Sequence, residues 1–183
     1  MTNEQRQKIV ARLNGRTQLI AFEAAKSVWE NPDPLLKPSL IRILKRGRRP
    51  FNRAAAAFAM QIVHSSKTIR ALENVVRDKS ESPRVRGESA EALAHYHRKE
   101  SHRVLLDGLA DPNKEVRFWC AFALAEMAEK KAIPILERLV AYDKRMVKGF
   151  RSVAKEAGDA LKSIQMGNVG YRRKQGCVFC SRH

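Results

Sequence analysis

The sequence of 183 residues predicts an all-α fold, a right-handed α-solenoid of four to five antiparallel helix pairs. One phrase recurs, in which an Arg is followed four and six residues later by Ala and then by a large apolar residue, at 53–60, 86–93 and 117–124. A fourth copy without the Arg occupies 154–161. A second apolar segment lies between the copies, at 72–75, 106–109 and 136–139. A period of 31 to 37 residues with two amphipathic segments is typical of stacked helix pairs.

Local signals place the helices that precede the clear copies. Thr2 followed by Gln5 predicts a capping box for a first helix ending near residue 14. A second helix is predicted from about 17 to 30, because the prolines of 31–34 cannot continue it. Its buried face is expected to carry the apolar residues at helical spacing, Leu19, Phe22, Ala25, Val28 and Trp29.

A third helix is predicted from about 35 to 45, followed by an arginine-rich connection at 46–50. The repeat pattern ends after Ile164 in a Gly-rich stretch. We therefore expect a solenoid over residues 1–164 and a flexible basic tail over 165–183.

The phrase itself resembles a known repeat. Val85-Arg86 and Val116-Arg117, each followed by Ala-x-Ala-Leu, with Asp111-Pro112 before the second, look like HEAT repeats. They are similar to the short repeats of bacterial HEAT-repeat proteins and phycobilin-lyase-like proteins, closely over 50–164 and loosely over 17–49. The resemblance implies a binding surface, since only a few branches of such proteins are enzymes.

The arginines of the phrase have a structural interpretation. Loop arginines of this kind usually pair with an acid or a carbonyl of the neighbouring repeat, and Asp111 lies six residues before Arg117. Arg86 and Arg117 are therefore not counted as functional residues. The small Ala side chains allow the partner helix to approach closely, while Leu93 and Leu124 fill the layer between repeats.

Positive charge is concentrated in two blocks. The chain has 36 Lys and Arg against 19 Asp and Glu, a formal charge of +17. Residues 34–72 carry nine basic and no acidic residues, and residues 144–183 carry ten basic and two acidic ones. The remaining residues are neutral in sum, so the segregation favours an acidic partner over a general effect on solubility.

Nucleic acid is the partner class that these blocks predict best, because clustered cations hold phosphates and release counterions. The second block is expected to form one helical stripe. The alternatives are a solvated basic face and an acidic protein bound through the same charges. The candidate nucleic-acid-binding residues are Arg42, Lys45, Arg46, Arg48, Arg49, Arg53, Lys144, Lys148, Arg151, Lys155, Arg172, Arg173 and Lys174.

The C-terminus carries an incomplete set of metal ligands. Cys177, Cys180 and His183 have the spacing for a zinc ion, which prefers four ligands in structural sites. His102, Cys120, the terminal carboxylate or another chain could supply the fourth. Free tail thiols and redox chemistry are the alternatives, although no strand pattern supports a redox motif.

An aromatic cluster predicts a surface for docking a protein. Phe118, Trp119 and Phe122 correspond to Gly87, Glu88 and Glu91 of the preceding copy, which are expected to be exposed. The alternative is that the tail folds back over the three rings.

The function predicted from the sequence is that of a non-catalytic binding module. No catalytic constellation is visible, and a helical-repeat DNA glycosylase would need an acid beside the aromatic residues. There is no secretory signal, no apolar run long enough to span a membrane, and no disulfide framework among three cysteines. We expect a soluble cytoplasmic protein that does not bind membranes.

Overall fold

The computed structural model describes residues 1–167, and helices dominate this part of the chain. Short 3-10 helices at Pro34–Leu36 and Lys130–Ala132 precede the third and ninth α-helices. The predicted all-α solenoid class is confirmed. The α-helices are α1 Asn3–Leu13, α2 Gln18–Glu30, α3 Lys37–Arg46, α4 Pro50–Ala59, α5 Ser66–Arg77, α6 Pro83–Ala94, α7 Lys99–Gly108, α8 Lys114–Glu126, α9 Ile133–Tyr142 and α10 Val153–Gln165.

The chain forms two compact units that divide between Tyr96 and His97. In the first unit α1 packs on α2, α3 on α4 and α5 on α6, while α4 lies between α2 and α6. In the second unit α7 packs on α8 and α9 on α10, and α8 contacts α10. No helix within residues 1–167 combines the length and apolar character that crossing a membrane requires.

The start of each helix follows its local sequence. The capping box predicted at Thr2 is present, with the Thr2 hydroxyl accepting from the Gln5 amide and the Gln5 side chain accepting from the Thr2 amide. Thr17 caps α2 in a similar way. Proline is the first residue of α4 and of α6, where the missing amide costs nothing because the first turn has no intrahelical acceptor for it.

The core contains the small residues of the repeated phrase. Ala57 and Ala59 in α4 are fully buried, as are Ala121 and Ala123 in α8. The larger residues that end the phrase, Met60, Leu93 and Leu124, are buried too, as predicted. In α2, by contrast, Leu19 and Trp29 are 63% and 41% exposed, so their assignment to the buried face was wrong. Phe22, Ala25 and Val28 occupy that face as predicted.

The arginines of the phrase bind backbone carbonyls, which confirms their structural interpretation. The Arg86 guanidinium donates to the Val76 carbonyl oxygen at 2.9 and 3.1 Å. Arg117 Nη1 donates to the Asp111 carbonyl oxygen, and Arg117 Nε to Asp143 Oδ2 at 2.7 Å. Each guanidinium therefore ties its helix to residues before it, and Arg117 also ties α8 to the segment that follows α9.

Arg53 plays the same role, so its assignment to nucleic-acid binding was wrong. Its Nε and Nη2 donate to the Glu81 carboxylate at 2.6 and 2.7 Å, and its Nη1 donates to the Gly47 carbonyl oxygen at 2.7 Å. All three nitrogens of the guanidinium are occupied by protein acceptors. The first copy of the phrase thus behaves as the later copies do.

The helical stripe predicted for the second basic block was also wrong. Residues 143–152 form a loop closed by an antiparallel bridge between Met146 and Ser152, and α10 begins only at Val153. Gly149 has φ +79° at the third position of a turn from Val147 to Phe150, a conformation that glycine adopts without strain. The turn overrides the helical spacing of the lysines.

Candidate nucleic-acid interface

The first basic block forms the end of α3 and the turn into α4. We call its five cations Arg42, Lys45, Arg46, Arg48 and Arg49 the basic turn. The first four side chains are exposed and Arg49 is half-buried. Buried Leu40, Ile43 and Leu44 fix the opposite side of α3 in the core, so the cations must face away from it.

No carboxylate in residues 1–167 forms an ion pair with any cation of the basic turn. Elsewhere in the first unit, arginines do have acidic partners, as in Arg6 with Asp33 and Arg12 with Glu23. The difference follows from composition, because neither α3 nor the turn carries an acidic residue. The positive charge of the basic turn is therefore not neutralised by the described part of the chain.

A buried asparagine positions the basic turn against the preceding helix pair. Asn52 Nδ2 donates to the carbonyl oxygens of Leu13 and Gly15 at 2.8 and 3.1 Å. These bonds join the first turn of α4 to the loop between α1 and α2. Arg16 lies in that loop, is exposed, and has no acidic partner among the described residues.

Arg16 is the cation that reasoning from the sequence missed. Its position between the two helices of a pair is equivalent to that of the basic turn, and this equivalence is the signal that could have identified it. The candidate interface of the first unit is thus built from two adjacent loops.

The start of α4 adds a further positive contribution. Arg49 is the N-cap residue and makes no side-chain capping bond, and Pro50 follows it. The N-terminal end of a helix carries partial positive charge, so the helix dipole has the same sign as the neighbouring arginines. The Arg49 guanidinium lies 6.0 Å from the centroid of the Phe51 ring.

In the second unit, some cations of the predicted block have carboxylate partners and others have none among the described residues. Arg151 binds Glu156 at 2.9 Å and Asp159 at 2.5 Å, and Lys155 lies 3.7 Å from Asp159. Lys144 and Lys148 are exposed, and Lys144 Nζ donates to a backbone carbonyl at 2.6 Å.

Asp143 anchors the loop that carries these lysines. Burial raises the pKa of this carboxyl, but hydrogen bonds from Arg145 and Arg117 outweigh it and hold the pKa below its usual value. Its carboxylate is therefore charged at neutral pH and fixes the start of the loop.

The predicted aromatic docking patch is part of the core. Phe118, Trp119 and Phe122 are all buried, and the centroids of the first two rings lie 5.6 and 5.2 Å from that of Phe150. The loop 143–152 supplies Phe150, which the repeat comparison could not anticipate because the earlier copies have no such loop. The equivalent positions Gly87, Glu88 and Glu91 are buried too, so the expectation of exposure was wrong for both copies.

The remaining candidates lie outside the described residues. These are the metal ligands Cys177, Cys180 and His183 and the tail cations Arg172, Arg173 and Lys174. Of the possible fourth ligands, His102 binds Glu129 through Nδ1 and Cys120 is buried. Within residues 1–167 no three His, Cys, Asp or Glu side chains are grouped closely enough to hold a metal ion.

Comparisons with known proteins agree with this architecture. Residues 69–157 match the family model of HEAT repeats. Over 89% of the chain and 80% of the other, the structure resembles the crystal structure of an engineered protein, with a TM-score of 0.51 and 24% identity. That likeness concerns the fold alone. Residues 69–157 thus belong to HEAT repeats, as the repeated phrase predicted.

A curated relative matches part of the array. Deoxyhypusine hydroxylase-B of Oryza sativa subsp. japonica is 40% identical over 77 residues, which are 42% of this chain and 26% of that protein. The chain thus spans about a quarter of the length of this relative. Such a partial match is a likeness between repeats.

Proposed function

We propose that this HEAT-repeat protein is a non-catalytic module that binds nucleic acid through phosphate contacts made by the basic turn. HEAT repeats in general suggest a binding or scaffold role. The observation that carries the finer proposal is the set of five cations on one turn without a carboxylate partner among the described residues. Phosphate oxygens are the complementary ligands, because each guanidinium can donate two parallel hydrogen bonds to them.

The composition of the basic turn favours a polyanion over a folded protein partner. Protein interfaces concentrate their binding energy in buried apolar or aromatic anchors surrounded by a polar rim. The exposed residues from Arg42 to Arg49 are all cationic, and Ile43 and Leu44 are buried in the core. A surface of charge without an apolar anchor suits repeated phosphates, whose affinity comes from counterion release.

Lys144 and Lys148 supply a second, smaller group of cations on the second unit. They lie in the loop between α9 and α10, which is the connection within a helix pair, as the basic turn is in the first unit. With two lysines against five cations, this loop contributes less to the affinity. Arg151 and Lys155 contribute little, because Glu156 and Asp159 already neutralise them.

A panel of labelled ligands tests the proposal. Fluorescence anisotropy at low salt should show binding of duplex DNA, single-stranded DNA or structured RNA. A polyglutamate peptide of equal charge should bind more weakly, because carboxylates are spaced differently from backbone phosphates and accept fewer hydrogen bonds each. Absence of binding to every nucleic acid at low salt would refute the proposal.

The second candidate is an adaptor that binds an acidic protein, and the exposed indole of Trp29 favours it. This side chain is 41% exposed on α2, and tryptophan is enriched among the residues that dominate protein interfaces. The adaptor predicts that polyglutamate competes with nucleic acid at equal charge. It also predicts that Trp29→Ala weakens capture of a protein partner while leaving nucleic-acid affinity unchanged.

A further inference from the structure

A small cleft lies beside the basic turn, between the end of α1 and the last turn of α3. It has a volume of about 220 Å³ and is lined by Asn14, Arg42, Ile43, Arg46 and Gly47. Pockets that enclose a whole small-molecule ligand usually measure roughly 300–1,000 Å³. The cleft is smaller than these, so a compact group of a few atoms fits it better than an entire nucleoside does.

Two arginines supply the charge of the cleft. Arg42 and Arg46 are four residues apart on α3, so their side chains lie on the same face, one helical turn apart. Neither forms an ion pair or a hydrogen bond with another described residue. Arg53, the arginine next along the chain after the basic turn, is held by Glu81 and leaves the cleft to these two.

Asn14, Ile43 and Gly47 form the rest of the lining. Asn14 Nδ2 donates one hydrogen to the Val10 carbonyl oxygen at 3.0 Å, and the described residues leave its second amide hydrogen without an acceptor. A Cβ on Gly47 would lie 2.7 Å from the Ile43 carbonyl oxygen, so the chain can follow this tight path past the cleft only with glycine. The cleft therefore offers two guanidiniums and one amide donor.

We infer that the cleft binds a single phosphate group, which the guanidiniums of Arg42 and Arg46 hold from the α3 side while the Asn14 amide donates from the α1 side. A tetrahedral phosphate anion matches this set of donors, which contains no acidic group to repel it. The inference rests on the proposed function in one respect, that the phosphate belongs to a nucleic acid. It is either a terminal phosphate or one within the backbone, and the two can be separated experimentally.

Calorimetric titration of the full-length chain with inorganic phosphate at constant ionic strength tests the cleft itself. Wild-type protein should bind one phosphate saturably. Arg42→Gln and Arg46→Gln should each weaken this binding at least about tenfold, through the loss of a charge-assisted hydrogen bond. Arg70→Gln, which removes an exposed and unpaired arginine of α5, is the matched control and should leave phosphate binding unchanged.

Binding of oligonucleotides with and without a 5′-phosphate shows whether the phosphate in the cleft is a terminal one or one of the backbone. A preference for the phosphorylated strand that disappears in Arg46→Gln assigns the cleft to a terminal phosphate, whereas equal affinities with an equal loss in Arg46→Gln assign it to the backbone. Nucleic-acid binding without saturable phosphate binding would overturn the inference and leave the proposed function standing. Phosphate binding without nucleic-acid binding would overturn the proposed function and leave the cleft.

Discussion

Two arginines that share one carboxylate should differ strongly in their contribution to stability. Arg117 and Arg145 both donate to Asp143 at 2.7 Å, but the side chain of Arg117 is 5% exposed and that of Arg145 is 60% exposed. The experiment compares the free energies of unfolding of two variants, Arg117→Gln and Arg145→Gln. Both changes remove one positive charge from the Asp143 carboxylate, so the two variants differ in the burial of the arginine and in the further bond from Arg117 to the Asp111 carbonyl oxygen.

The expected magnitudes follow from that difference. Removing one partner of a buried ion pair leaves the other charge in the interior and costs about 3–5 kcal/mol of unfolding free energy. Arg117→Gln should reach this range, because the change leaves the Asp143 carboxylate, which is 4% exposed, with only an exposed partner and also removes the bond to the Asp111 carbonyl oxygen. Arg145→Gln should cost no more than about 1 kcal/mol, as do most solvent-exposed pairs.

Urea unfolding monitored by tryptophan fluorescence measures both values. The chain has two tryptophans, one in each unit, so a Trp29→Phe background leaves Trp119 as a reporter of the second unit. Trp119 packs against Phe150 in the loop that Asp143 anchors, and its emission should change when this unit unfolds. Equal losses in the two variants would refute the account of Arg117 as a buried tie between α8 and this loop.

Three further predictions concern the second unit. The pKa of Asp143 is lowered in the folded state, so this carboxylate stabilises the protein above pH 3.8, and the stabilisation is lost as the pH falls through the folded pKa. The midpoints of urea unfolding at pH 3 and pH 7 should therefore differ less in Asp143→Asn than in wild type. Leu124→Ala should cost about 2–5 kcal/mol because this side chain is fully buried, whereas Tyr142→Ala, at an exposed position, should stay within about 0.5 kcal/mol. Similar losses of unfolding free energy in urea would contradict the assigned burial of Leu124. Gly149→Ala should destabilise the unit through its positive φ, whereas Lys148→Ala should not, and calorimetry would expose an error in the assigned turn if both had the same effect.

Zinc content tests the site predicted from the C-terminal sequence. If Cys177, Cys180 and His183 bind zinc, purified protein should carry close to one zinc per chain, or one per two chains if the site bridges a dimer. Cys177→Ser should remove the metal, while circular dichroism should show unchanged helix content because the repeats end before these residues. Metal-free protein with freely reactive thiols would contradict the zinc site.

The repeated phrase was sufficient to predict the fold class and the burial of its own Ala and large apolar positions, but not the burial of the opposite faces of α6 and α8. Its Ala and Leu positions report packing between helices, and that packing depends on local spacing that the sequence shows directly. Arg53 belonged to the same phrase as Arg86 and Arg117, so repeat equivalence alone would have placed it against the protein. Its proximity to the arginines of the basic turn outweighed that signal in the sequence interpretation.

The second unit was harder to predict, because its last helix pair departs from the repeat. Lys144, Lys148 and Lys155 have helical spacing, but a single glycine at positive φ and the anchoring of Asp143 turn the segment into a loop. That loop brings Phe150 onto Trp119, a contact between distant positions that no local pattern encodes. The aromatic cluster was therefore wrongly predicted to be exposed, because a tertiary contact buries it.

Only part of the candidate interface was predictable, because another part of it also depends on contacts between distant positions of the sequence. The absence of acidic residues from 34 to 72 is visible in the sequence, and it explains why the basic turn lacks carboxylate partners among the described residues. Repeat equivalence could have identified Arg16, but the packing of its loop beside the basic turn was not visible, because the hydrogen bonds from Asn52 to Leu13 and Gly15 join residues almost forty positions apart. The cleft likewise joins Asn14 to residues of α3 that are distant in the sequence.

The salt dependence of duplex binding tests the central claim most directly. The logarithm of the affinity should fall linearly with the logarithm of salt concentration, with a slope near −0.9 per phosphate contact, and joint replacement of Arg46, Arg48 and Arg49 by Gln should flatten it by up to about 2.7. The control variant replaces three exposed, unpaired cations elsewhere, through Lys8→Gln, Arg70→Gln and Arg103→Gln. It therefore has the same net charge as the triple variant of the basic turn. The account predicts that this control retains the wild-type slope. Equal flattening in the two triple variants, or none in either, would contradict a binding site at the basic turn.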